Sequence, residues 1–188
     1  MKKHFLSITL LFSLLIMLLY PLTLFAQEKE ECTASGPLIE VKQVDAQKAI
    51  VVRFDVPTSE IGPAMGKAYE KLFGFLGTNS MAPAGPPFAV HYSINPTGNT
   101  VFEAGVPVSS SISGNEEIIY KEFPAMKVVS ILYRGPYESL ETAYGKLNSY
   151  IIANGLEAER ISWEIYLTDP SQVTDPKENQ TLIYFPLK

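Results

Sequence analysis

Cysteine and histidine are nearly missing from this chain. Its 188 residues hold one cysteine, Cys32, and two histidines, His4 and His91. A single thiol forms no internal disulfide, and so few histidines cannot build a zinc site, so neither a disulfide framework nor a metal is expected. Positive charge is also scarce. Fifteen Lys and Arg against 20 Asp and Glu give a formal net charge of −5. Phosphate binding needs clustered Lys and Arg, so nucleic acid is not an expected partner. Nothing in the chain supplies a nucleophile–base pair, and no cofactor is expected.

A long apolar run occurs once, at the N-terminus. Lys2 and Lys3 precede uncharged residues from Phe5 to Leu19, then Pro21, and Leu24-Phe25-Ala26 leads into Gln27. A positive start, an apolar stretch and a small residue before a polar switch describe a secretory signal peptide over residues 1–26. Export to the periplasm or medium follows; the length of the run leaves an uncleaved membrane anchor as the alternative. Cys32 follows Lys29-Glu30-Glu31, not the small apolar residues that lipidation needs. Loss of Lys2 and Lys3 takes the net charge from −5 to −7. Residues 27–37 read as a charged tether, and about 150 residues remain, enough for one domain with its own core.

Within residues 38–188, strand patterning begins at Leu38 and resumes at Ala49–Phe54, with Asp45–Lys48 as a turn or bulge. Thr58 or Ser59 caps a helix whose Met65, Ala68, Tyr69, Leu72, Phe75 and Leu76 keep helical spacing up to Gly77. A Pro- and Gly-rich loop, a strand from Phe88 to Ile94, a turn and a strand from Thr100 to Val108 follow. Residues 109–123 read as a connector. The order then returns: a strand from Pro124 to Tyr133, a helix opening at Gly135-Pro136, a strand over Ser162–Thr168 and a last strand from Thr181 to Leu187.

The return is visible in the residues themselves. Ala68-Tyr69-Glu70-Lys71-Leu72 aligns with Ala143-Tyr144-Gly145-Lys146-Leu147 at 75 positions, and Tyr92–Pro96 aligns with Tyr166–Pro170 at 74. We read an α+β fold made of a duplicated β-α-β-β unit, repeat one over 38–108 and repeat two over 124–188. Two such units about a pseudo-twofold axis would leave a groove between them.

Tyr133-Arg-Gly-Pro-Tyr-Glu138, the Ala143-Tyr144 helix, Trp163-Glu-Ile-Tyr-Leu-Thr-Asp-Pro170 and Phe102-Glu-Ala-Gly-Val-Pro-Val108 together resemble the GyrI-like family. That family includes the effector-binding domains of AraC- and MerR-type regulators, and its fold is similar to that of the SOUL proteins. The resemblance covers residues 38–188 and implies a small-molecule groove between repeats. It also implies that Glu164 is the main binding group for bulky aromatic cations, and it marks Glu103 as a recurrent acid. Alternation puts Tyr166 on Glu164's face, and the repeat alignment makes Tyr92 its counterpart. No DNA-binding domain is expected ahead of the matched region, which would set the chain apart from the regulators.

The candidate ligand-binding residues are therefore Glu164, Tyr166, Tyr92 and Glu103, with no catalytic residue assigned. Glu164 has a plainer reading, a rim carboxylate paired to Arg134 or Arg160. Trp163, on the other face, reads as core against a helix, and His91 as a sheet-face residue. Three functions compete on these residues. One is a binding module for an amphipathic aromatic or cationic small molecule. The second is a hydrolase of reactive aromatic compounds using Glu164, as in some GyrI-like relatives. The third is a haem carrier ligated by His91. Contact with a membrane is expected only if the N-terminal segment stays uncleaved.

Overall fold

The computed structural model describes residues 38–188, except Pro96 and the side chains of Ser93 and Ile94. The signal peptide, the tether, His4 and Cys32 lie outside the described residues. Eight strands form one curled antiparallel sheet: β1 (Ile39–Val44), β2 (Gln47–Pro57), β3 (Phe88–Ile94), β4 (Asn99–Pro107), β5 (Ile119–Phe123), β6 (Met126–Arg134), β7 (Ser162–Tyr166) and β8 (Gln180–Pro186). Their order across the sheet is β1-β6-β8-β7-β3-β4-β2-β5. Two helices, α1 (Ile61–Thr78) and α2 (Leu140–Ala153), complete the fold.

Strand register shows which face each residue takes. Val52 pairs with Ala104, Ala104 with Ala89, Ala89 with Glu164, and Glu164 with Ile183. All of these lie on the face that both helices cover. Ala64, Ala68, Leu72 and Leu76 of α1 recur every fourth residue and pack on Ile50, Val52, Phe102, Ala104 and Val106. Ala143 and Leu147 of α2 pack on Val129, Ile131 and Ile183.

The opposite face is also buried, by the curl of the sheet itself. Ala49, Val51, Phe88, Val90, Val128, Trp163 and Tyr184 form its core. Trp163 lies between Phe88 and Tyr184, with centroids 5.0 and 5.5 Å away and nearly parallel rings, and Phe123 meets it edge-on at 4.7 Å. Trp163 is thus core, as expected, but against strand aromatics and not against a helix.

Residues expected to be only a connector include a strand. Ile119–Phe123 forms β5, which pairs with β2 at the sheet's end. Its half-exposed pattern explains why it is hard to see: Ile119 is 47% exposed, so its alternation marks no core face. Both helices open with a 3-10 turn, Thr58–Glu60 before α1 and Tyr137–Ser139 before α2. The Thr58 and Ser59 hydroxyls make no capping bond to the start of α1.

Gly105 fits because Phe88 lies across from it. A Cβ there would come within 2.4 Å of the Phe88 ring. Overpacking of this kind costs about 1–3 kcal/mol, which for a domain of this size lowers Tm by roughly 2–4 °C per kcal/mol. Gly105→Ala should therefore melt several degrees below wild type in a thermal scan followed by Trp163 fluorescence. An unchanged Tm would mean that the Phe88–Trp163 stack yields without cost.

Candidate functional site

Glu164 stands at the middle of β7, and the alternation of that strand sets its surroundings. It is 8% exposed and faces the helices. Tyr144 of α2 donates its hydroxyl hydrogen bond to one carboxylate oxygen at 2.7 Å, and Tyr166 donates to the other at 2.7 Å. His91 of β3 brings its Nε2 to 3.6 Å from Glu164 Oε1, close enough to pair if protonated but beyond a formed hydrogen bond. The imidazole lies on the Phe102 ring. Neither Arg134 nor Arg160 is the partner here; among the described residues the ion-pair contact of Glu164 is His91.

An outer ring of tyrosines closes the site. Tyr69 of α1 meets Tyr166 edge-on at 6.2 Å and donates its hydroxyl to the Phe88 carbonyl at 2.9 Å. Tyr137 meets Tyr166 edge-on at 5.7 Å from the other side. Gly135 makes the turn that brings Tyr137 there: its φ is +149°, and a Cβ would come within 2.4 Å of the Tyr133 hydroxyl. The repeated Ala-Tyr pair of the two helices therefore supplies Tyr69 and Tyr144 to this site.

The charge of Glu164 is held in an unusual way. Burial pushes its pKa up, but His91, the Tyr144 hydroxyl and the Tyr166 hydroxyl outweigh that and leave it below the ordinary carboxylate value. Burial and the nearby carboxylate push the Tyr144 and Tyr166 hydroxyls up, so both remain protonated donors at neutral pH. The site is an ionised carboxylate held by hydroxyls, with no Lys or Arg among its recorded partners.

Glu103 and Tyr92 lie elsewhere. Glu103 pairs with Val90, and Val90 with Trp163, so Glu103 takes the face opposite Glu164. It is 2% exposed and fully matched: Lys121 Nζ lies 2.7 and 2.8 Å from its two oxygens, Arg53 at 3.3 Å, and the Tyr92 hydroxyl at 2.7 Å. Arg53 also stacks over the Tyr92 ring at 5.0 Å. The expected pairing of Tyr92 with Tyr166 in one groove is not what the structure shows. A register shift between His91 and Ser93 interrupts the β3 ladder at Tyr92, whose hydroxyl goes to Glu103. The four candidate residues thus form two pairs, Glu164 with Tyr166 and Glu103 with Tyr92. The sequence reading missed His91 and Tyr144 as neighbours of Glu164; the Ala-Tyr repeat was the available signal for Tyr144.

Residues 38–188 match the family model of the GyrI-like small-molecule-binding domain. The chain belongs to this family. Among solved structures, the EcmrR C-terminal domain shares 25% identity at a TM-score of 0.65, covering 81% of this chain and 98% of that one. EcmrR in complex with DNA matches at 22% identity and a TM-score of 0.67, with 81% of this chain covered but only 57% of that chain. A hydrolase from Listeria innocua shares the fold at 14% identity and a TM-score of 0.62, over 85% of this chain and 97% of that one. SAV2435, solved with tetraphenylphosphonium, does so at 10% identity and 0.61, over 80% and 94%. No curated protein matches this chain.

The lowered pKa gives the direction of a pH effect. A carboxyl whose folded pKa lies below its unfolded value stabilises the fold fully above the unfolded value, and that contribution is lost as pH falls through the folded pKa. The Tm of wild type relative to Glu164→Gln should therefore fall as pH drops from neutral through the ordinary carboxylate range and below it. Calorimetry showing a constant difference over that window would contradict the site's electrostatics as described.

Proposed function

We propose that this chain is an exported GyrI-like domain that binds an amphipathic, lipophilic cation at Glu164. The observation that carries this reading is the contrast between the two buried glutamates. Glu103 has two cations of its own, whereas Glu164 is answered by hydroxyls and one imidazole. A buried carboxylate without a fixed counter-charge gains from any cation able to reach it. The rings of Tyr69, Tyr137, Tyr144 and Tyr166 suit the aromatic body of such a ligand, and cation–π attraction adds to the ion pair. Access requires Tyr144 and the outer rings to part, because Glu164 is buried as it stands.

The rest of the reading follows from the same residues. The element order β-α-β-β occurs twice, β2-α1-β3-β4 and β6-α2-β7-β8, and supports an internal duplication in which Tyr69 and Tyr144 are counterparts. Residues 1–26 fit a signal peptide, and the absence of a basic cluster in the sequence fits a role away from nucleic acid. The hydrolase alternative is less well served. A carboxylate held ionised by two hydroxyls is a poor proton donor at neutral pH and could serve only as a base or to orient water, and no metal-binding cluster stands beside it among the described residues.

Tetraphenylphosphonium, the ligand in the SAV2435 structure, is a suitable probe. By calorimetry, wild type should bind it saturably, and Glu164→Gln should weaken binding at least about tenfold, or ~1.4 kcal/mol. The uncharged triphenylphosphine oxide should show no such difference. Binding of the cation should also weaken in acid, as the Glu164 carboxylate takes up its proton. If Glu164→Gln binds the cation like wild type, the site assignment is wrong.

A further inference from the structure

The strand that carries Glu164 carries a second set of groups on its other face. There a cavity of about 530 Å³ is walled by Phe88, Phe123, Trp163, Ile165 and Tyr184, and the β1–β2 corner at Gln47 closes one side. Its volume falls within the range of small-molecule pockets, roughly 300–1,000 Å³. Four aromatic rings meet on its strand-borne wall, and aliphatic and proline side chains make up most of the rest.

Two hydrogen-bond donors of this wall have no acceptor. Trp163 is 2% exposed, and its Nε1–H is buried without a partner; the side-chain NH2 of Gln47 is in the same position. A buried donor left unpaired loses its bond to water and gains none in return. Both groups are donors, and indole nitrogen is donor only, so what they lack is an acceptor oxygen. The rim does not change that demand. Lys48 and Asp45 both border the cavity and offset each other, and Lys121 is already engaged with Glu103.

We propose that this cavity is a second binding site, for a planar aromatic molecule carrying a carbonyl or carboxylate oxygen. The rings pack against Phe123, Ile165 and Met126, and the oxygen accepts from the Trp163 and Gln47 N–H groups. Both nitrogens are covered by neighbouring atoms, so a turn of the Gln47 amide and a tilt of the indole accompany binding. The chemistry is the reverse of that at Glu164, where the protein supplies the anion. This site does not depend on cation binding there.

Trp163 is the chain's one tryptophan, so its indole N–H gives a single cross-peak in a nitrogen–proton correlation spectrum. The probes are naphthalene-2-carboxylate, 2-acetylnaphthalene and unsubstituted naphthalene, with affinity read from ligand fluorescence anisotropy. The two oxygen-bearing probes should bind saturably, move the indole cross-peak downfield, and bind at least about tenfold tighter than naphthalene. A preference for the carboxylate identifies an anion site and a preference for the ketone a neutral one; both support the proposal. Gln47→Leu should weaken the oxygen-bearing probes several-fold and leave naphthalene unchanged, and Glu164→Gln should alter none of them. The proposal is overturned if no probe saturates by millimolar concentration, if naphthalene binds as tightly as the others, if the indole peak stays fixed, or if Glu164→Gln abolishes binding.

Discussion

A carboxylate held inside the fold by tyrosine hydroxyls, with no lysine or arginine among its partners in the described residues, constrains the rest of this structure. Glu164 remains ionised there because His91 lies beside it and Tyr144 and Tyr166 each donate to one of its oxygens. Those donors must come from different elements, so α2 has to lie over β7, and β7 has to turn Glu164 toward the helices. Tyr69 from α1 and Tyr137 from the turn before α2 then press on Tyr166 from two sides. The helix-covered face is consequently both core and candidate site, and opening it for a ligand means separating aromatic contacts that also hold the helices.

The two buried glutamates show how the same side chain serves different ends. Glu103 is surrounded by Lys121, Arg53 and Tyr92, so its charge is compensated within the protein, and breaking that cluster would strand a buried ion. Glu164 keeps an incomplete match. The sheet between them separates the two environments, since register places Glu103 on the Trp163 face and Glu164 on the helix face. Strand alternation therefore gives two buried acids of one sheet two different environments.

Much of the chain's organisation can be read from the residues, and the failures have a common cause. The helices, the strands around Phe88, Thr100 and Thr181, and the acid at Glu164 all follow from periodicity and motif. What alternation does not say is which face of a strand the helices cover when both faces are buried. In β7, Ser162, Trp163 and Glu164 are all buried, and in β2 the run Ala49–Val52 is as well. Trp163 was for that reason assigned to a helix-packed core although it stacks on strand aromatics. Tyr92 lies with Glu103 and not beside Tyr166 because Val90, two residues before it, pairs with Trp163, and that cross-strand register is not written in the sequence of either strand. The strand β5 escaped notice because its place at the sheet's end leaves its apolar residues half exposed. His91 beside Glu164 depends on cross-strand register, which one strand's sequence does not contain.

The central claim is that the open charge of Glu164 selects a lipophilic cation on the helix-covered face. A crystal structure with a bromine-labelled aromatic phosphonium tests it most directly, because anomalous scattering locates the ligand independently of how its rings are fitted. The account predicts bromine signal beneath the helices, with the phosphorus centre beside the Glu164 carboxylate and Tyr144 displaced from its bond. Signal confined to the Trp163 face or to the protein surface, with the Glu164–Tyr144–Tyr166 contacts intact, would contradict it.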